Sequence, residues 1–311
     1  MSTNPTASET GPSDDFPADF LDVDDLTAAQ LDAVLDRAEA LKTGRDATTL
    51  PRTTLAMLFE KPSTRTRASF ETGMTQLGGH AMFLGPDDIQ LGHGEPLKDT
   101  ARALAGYADA IMARTFDHGD VETLAEYADV PVVNGLTDEA HPCQTLADLL
   151  TIRQAFGGLD DVSVAWVGDG NNVARSFAVG CALAGVDLTV ATPDGFGLGD
   201  DVLDRCTGLG AAPTLADGPA DAVADADVVY TDVWVSMGQE KRREEKLPAF
   251  DGYQLNEALL AGTDADVMHC LPAHRGEEIT DDVIESDRAL VWEQAENRMH
   301  AQKALLVELL T

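Results

Sequence analysis

Residues 53–59, TTLAMLF, run directly into residues 60–71, EKPSTRTRASFE. The first stretch carries no charge and reads as a buried strand. The second opens a helix through Ser63-Thr64-Arg65-Thr66-Arg67, five consecutive hydrogen-bond donors in a chain otherwise rich in acid. A strand that hands over to a donor-rich helix start is the first half of a βαβ unit, and the same alternation continues outward from it. Short apolar runs at 80–84, 109–114 and 131–135 alternate with helical patterns at 97–108, 120–128 and 144–158. Upstream, residues 20–42 show helical spacing and predict one N-terminal helix.

The alternation restarts at residue 162. Strands are expected at 162–168, 187–193, 226–233, 266–272 and 288–294, with helices at 172–185, 201–210 and 295–310. This pattern predicts an α/β chain of two doubly wound domains, each a mostly parallel sheet flanked by helices. The expected division is a polar tail over 1–18, a first domain over 19–153, a second over 154–292 and a closing helix over 293–311 that packs back toward the first domain.

Bulk properties narrow the class. Asp and Glu number 55 against 21 Lys and Arg, a net charge of −34. Such a field repels phosphate backbones and disfavours nucleic acid. The acids are dispersed, as on a solvated surface, and self-repulsion at this density is tolerable where salt screens it. That predicts a protein of a high-salt cytoplasm. Four cysteines, Cys143, Cys181, Cys206 and Cys270, stand far apart without a CxxC, as free thiols of a reducing compartment do. The first fifteen residues lack a signal-peptide pattern, and no apolar run reaches the ~18 residues of a membrane span.

Ligands of open parallel sheets bind at the carboxyl ends of strands, so the loops there carry the functional expectation. The STRTR helix start offers backbone amides, hydroxyls and the Arg65 fork to a small anion; Arg67, two residues on, is expected to face away. No GxxxxGK[ST] stands in the chain, which argues against a nucleoside triphosphate. In HPCQ, His141 is held extended before Pro142, and Gln144 falls in the first helical turn. The VGDGNNVARS stretch (167–176) lacks the third glycine of a dinucleotide fingerprint, since Val173 stands there; its two amides suit an amino-acid headgroup better. Asp232 ends a strand before Ser236-Met237-Gly238 and can meet an ammonium group. The following KRREEK is expected to be a solvated surface. Cys270 ends an apolar strand, either inert or poised if a cation lowers its pKa. No zinc-type spacing of His and Cys appears.

Taken in order, FEKPSTRTRASFE, HPCQTLADLLT, GDGNN, DVWVSMG, HCLP and AENR resemble the carbamoyltransferase family over roughly residues 20–311. STRTR and HPxQ mark the superfamily, SMG and HCLP its ornithine branch. The resemblance implies transfer of the carbamoyl group of carbamoyl phosphate to L-ornithine without metal or organic cofactor. It further implies that Ser63, Thr64, Arg65 and Thr66 hold the phosphate. Arg114, His141 and Gln144 would hold the carbamoyl group, and Asn172, Asp232, Ser236 and Met237 would bind ornithine. Cys270, Leu271 and Arg298 would line the reacting atoms, and Gln90 would reach the phosphate of a neighbouring subunit in a trimer or an assembly of trimers. A carbamoyltransferase for another amine, such as putrescine or acetylornithine, and a non-catalytic anion-binding protein are the alternatives the residues leave open.

Overall fold

The computed structural model describes residues 16–87, 94–236, 238 and 240–311. The expectations placed on residues 1–15, Gln90 and Met237 lie outside them. The first sheet is parallel, in the order β2-β1-β3-β4, from β1 (Thr54–Phe59), β2 (His80–Leu84), β3 (Ala110–Arg114) and β4 (Val132–Leu136). The second is parallel too, in the order β7-β6-β5-β8-β9, from β5 (Ser163–Val167), β6 (Asp187–Ala191), β7 (Thr214–Leu215), β8 (Val228–Thr231) and β9 (Asp266–His269). Both match the expected α/β architecture. Buried on both faces, residues 55–59 of β1 and 110–113 of β3 are continuous apolar runs, as covered parallel strands must be.

Helices α1 (Ala28–Lys42), α2 (Thr64–Gln76), α3 (Leu97–Ala105), α4 (His118–Tyr127) and α5 (Pro142–Phe156) accompany the first sheet. Helices α6 (Asn172–Ala184), α7 (Asp200–Leu209), α8 (Pro219–Val223), α9 (Arg243–Ala249), α10 (Asp281–Ile284) and α11 (Val291–Leu310) follow. The strand order reverses between β1 and β3 in one sheet and between β5 and β8 in the other. At those two points neighbouring connections leave in opposite directions and open a crevice at the strand ends.

Two expected elements differ. The N-terminal helix does not run from residue 20: Phe20 bridges to Val133, a single 3-10 turn follows at Val23–Asp25, and α1 begins after Thr27. There the Thr27 side chain caps the Gln30 amide, and the Gln30 side chain returns to the Thr27 N–H, a reciprocal start signal stronger than the apolar periodicity upstream. The strand expected at 288–294 is only an isolated bridge from Ala289 to Val267; α11 begins at Val291. Its buried Val291, Gln294, Asn297, Arg298, Ala301 and Leu305 keep helical spacing from the first turn onward. Helix α11 returns across the chain to pack on α5, α1 and α2, as expected. Among the described residues, no helix is long and apolar enough to cross a membrane.

Candidate active site

The two crevices face each other across a cleft of about 820 Å³ lined by all five sequence-selected loops. On the first-sheet side, Ser63 caps α2: its hydroxyl oxygen accepts the Thr66 N–H at 3.2 Å. The helix start, Thr64 and the partly exposed Arg65 therefore face the cleft. Arg67 turns away, pairing with Glu71 at 2.9 Å and stacking on Phe83 at 3.8 Å. Register brings Arg114, the last residue of β3, beside Phe59, so its guanidinium rises next to the STRTR loop.

Arg298 enters from the eighth position of α11, further into that helix than the sequence reading put it. Its guanidinium donates to Thr66 Oγ1 at 2.8 Å, to Gln144 Oε1, and to His141 Nε2 at 3.3 Å. Thr66, His141, Gln144 and Arg298 thus form one buried cluster drawn from α2, α5 and α11. Burial, then Arg298 and Arg114, hold His141 well below the usual histidine range, so its ring is neutral. With Nε2 accepting from Arg298, Nδ1 carries the proton, and it is buried without a partner among the described residues. Burial and the neighbouring Arg298 and Arg65 push Arg114 down to about 9. Arg114 Nε and Arg298 Nε are likewise buried without partners among those residues. Three arginines confronting one another, two of them with buried N–H donors unspent among the described residues, are a site that an anion would relieve.

On the second-sheet side, Asn171 caps α6, its Oδ1 accepting the N–H groups of Val173 and Ala174 at 3.0 and 3.1 Å. That cap fixes the amide and aims Nδ2 at Asp232 Oδ2, 2.8 Å away. The Cys270 thiol donates to Asp232 Oδ1 at 3.0 Å. Burial, then Asp232, push the Cys270 thiol well above its usual range, so it is a protonated donor and not a poised thiolate. Leu271 follows at φ +57°, its N–H donating to His269 Nδ1 at 2.9 Å. Gly170 comes so close to the backbone of Gly197 that a Cβ would stand 2.6 Å from its carbonyl carbon; only glycine fits there. Ser236 Oγ is buried at the same edge of the cleft without a partner among the described residues.

Two expectations are corrected or qualified here. The KRREEK stretch is not wholly solvated: Lys246 is buried, and its ammonium donates to Asp169 Oδ2 at 2.5 Å and to the Trp234 carbonyl at 3.0 Å. An ammonium that meets a buried carboxylate loses less by leaving water than a lone one, and no local charge pattern announces such a partner. Asn172 lines the cleft, but its amide donates to the Thr137 carbonyl at 2.6 Å, tying the two lobes together. The sequence pairs Asn171 with Asn172 as amides for a ligand headgroup; in the structure Asn171 spends its oxygen on the cap of α6, as an Asn immediately before a helix does. Ser176 joins that seam, accepting the His141 N–H at 2.8 Å.

With this geometry in view, comparison with known proteins is specific. The carbamoyl-P binding domain profile of aspartate/ornithine carbamoyltransferase matches residues 18–154, and the Asp/Orn binding domain profile matches residues 160–309. The chain belongs to the aspartate/ornithine carbamoyltransferase family, a family of transferases. Among its relatives, the ornithine carbamoyltransferase of Haloquadratum walsbyi is 68% identical over 294 residues, 94% of this chain and 98% of the relative. The crystal structure of ornithine carbamoyltransferase from Thermus thermophilus superposes with a TM-score of 0.87 at 44% identity, covering 95% of this chain and 99% of that one. The Pyrococcus furiosus ornithine carbamoyltransferase structure gives 0.87 at 49% identity, covering 94% and 97%.

Proposed function

We propose that the cleft transfers the carbamoyl group of carbamoyl phosphate to the δ-amine of L-ornithine, giving L-citrulline and phosphate. One observation carries this reading: buried donors of Arg114, Arg298 and His141 stand without partners among the described residues beside Arg65, in a cleft that also holds the Asp232–Cys270 pair. The first set suits a phosphorylated carbonyl compound, the second an amine.

In this reading Ser63, Thr64, Arg65, Thr66 and the α2 amides hold the phosphate, while Arg114, His141 and Gln144 hold the carbamoyl group. Asn172, Asp232, Ser236 and Met237 hold ornithine, and Cys270, Leu271 and Arg298 line the reacting carbon. A primary amine of this kind has a solution pKa near that of lysine, ~10.4. It must arrive neutral. Burial beside Arg114 and Arg298 favours the neutral form, while Asp232 accepts an amine N–H and orients the lone pair. As the N–C bond forms, charge gathers on the carbonyl oxygen, where each well-placed donor contributes ~3 kcal/mol. The C–O bond to phosphate then breaks, the attacking nitrogen gives its extra proton to the departing phosphate oxygen, and the leaving anion rests in the cradle of Arg65 and the helix start.

The division of labour follows residues 19–153 for carbamoyl phosphate and 154–292 for ornithine, with the closing helix supplying Arg298. The protein works in a salt-rich cytoplasm as a trimer or assembly of trimers, with Gln90 completing a neighbouring subunit's site. The 68% identity to a Haloquadratum walsbyi protein and the net charge of −34 support the salt requirement. The test is a steady-state assay with carbamoyl phosphate and ornithine, putrescine or N-acetylornithine in molar salt. Citrulline from ornithine is expected; carbamoylation of another amine and not ornithine would overturn the assignment.

A further inference from the structure

We infer that Asp148, a residue of α5 that does not line the cleft, positions both halves of the reacting site at once; the inference rests on the reaction proposed above. Its carboxylate is fully buried, at 0% exposure, where the two sheets and α11 meet. Three donors from three elements converge on it. Oδ1 accepts from Gln144 Nε2 of α5 and from Gln294 Nε2 of α11, each at 2.7 Å. Oδ2 accepts from the Tyr230 hydroxyl of β8 at 3.0 Å.

Each of these donors leads on to a reacting group. Gln144 directs its N–H at Asp148 and therefore turns Oε1 toward Arg298, whose other nitrogen holds Thr66. With the amide reversed, oxygen would face the carboxylate and N–H would face the guanidinium, two repulsive contacts in place of two hydrogen bonds. Asp148 thereby selects the orientation of Gln144 and seats Arg298. Gln294 uses its own Oε1 to accept the His269 N–H at 2.9 Å, directly before Cys270. Tyr230 precedes Asp232 by two residues on the same strand end. One carboxylate is therefore the common anchor of Gln144 and Arg298 on one side of the cleft and of Asp232 and Cys270 on the other. Asp148 touches no substrate in this account; it acts through its three donors.

The experiment compares full-length wild type, Asp148→Asn, Asp148→Leu and Tyr230→Phe by steady-state kinetics in molar salt, with melting followed for each. Asparagine keeps Oδ1 for both glutamines and can donate to the Tyr230 oxygen, so its kinetics should stay within about 3-fold of wild type. Leucine removes every anchor: kcat should fall about 100-fold, and KM for carbamoyl phosphate should rise about 10-fold, in a protein that still melts cooperatively. Loss of the Tyr230 hydroxyl alone should lower kcat about 5-fold and leave KM for carbamoyl phosphate unchanged, a split that general loosening would not produce. If the leucine variant does not fold, the tyrosine variant decides alone. Wild-type kinetics in Asp148→Leu, equal damage from Asn and Leu, or an unaltered kcat in Tyr230→Phe would each overturn the inference. Wild type run alongside separates the claims: no citrulline from it counts against the reaction, whereas wild-type turnover matched by Asp148→Leu counts against Asp148 alone.

Discussion

The Cys270 thiol and the Asp232 carboxylate are hydrogen-bonded at 3.0 Å, with sulfur as the donor. The pair joins the ends of two adjacent strands, β8 and β9, and leaves Asp232 anchored on both oxygens, by Cys270 on one and by Asn171 on the other. Removing the thiol frees one oxygen of a buried acceptor. Cys270→Ala should therefore lower kcat/KM for ornithine about 100-fold and leave the affinity for carbamoyl phosphate within a few-fold of wild type. Cys270→Ser keeps a donor and should fall between the two. Equal losses in both variants, measured by varying each substrate in turn, would show that the hydrogen bond is not what matters.

The arginine cluster should announce itself without any turnover. Inorganic phosphate at a hundred times its dissociation constant should stabilise the protein by ~2.7 kcal/mol, read as a rise in melting temperature at fixed ionic strength. Arg65→Ala should abolish most of that rise and reduce turnover at least ~1,000-fold, because the fork that grips two oxygens is gone. A phosphate-induced shift that survives Arg65→Ala would place the anion elsewhere.

Asp148 gives a pH signature in stability. Burial raises its carboxyl from the ordinary 3.8 to about 7, against the lowering pull of Gln144, Gln294, Tyr230 and Arg298. The buried Cys181, Cys270 and Tyr230 also face this group, and all three are held protonated well above their ordinary values. A raised folded pKa means that the favourable contribution is complete below about 4 and lost as pH rises through about 7. Asp148→Asn has no such dependence. Its stability relative to wild type should improve between pH 4 and pH 8 by up to roughly 4 kcal/mol, measured by denaturant unfolding in molar salt. A difference that stays flat with pH would mean that Asp148 ionises in the folded protein as it does in water.

Lys246 and Asp169 form a buried ion pair, and either partner alone is a buried charge. Lys246→Met should cost ~3–5 kcal/mol, and Asp169→Asn in the same chain should recover part of it. A double-mutant cycle with less than ~0.5 kcal/mol of coupling would show the pair to be incidental.

Low salt should destabilise the whole molecule. Lowering the salt from molar to 10 mM lengthens the Debye length from ~3 to ~30 Å, and the surface acids then repel one another across the lobes. An unchanged melting temperature between those conditions would remove the salt requirement.

The fold was legible because its signals are local. Apolar runs of five or six residues, helix starts and glycine turns lie within a few positions of one another, and the reversal points of two parallel sheets follow from their order. The STRTR loop, HPCQ and the DVWVSMG and HCLP turns were legible for the same reason: each is a strand end followed by a helix or turn. What escaped was pairing over distance. Gln294 reaches Asp148 across 146 positions, and Lys246 reaches Asp169 across 77. No window along the chain holds both partners, so a polar residue at such a position reads as surface or cap. The start of α11 escaped for a related reason, since Ala289 and Leu290 do pair with β9 and give the stretch a strand-like composition before the helix begins.

The return of α11 makes the chain a closed loop in space. It leaves the first lobe once, through residues 157–161, and comes back to that lobe as a helix seated on α1, α2 and α5. A single nick in the linker would sever the covalent path without parting the lobes, since the second fragment would still be clasped to the first by its own helix. The two pieces should co-purify and turn over together, and neither half expressed by itself should be a finished domain.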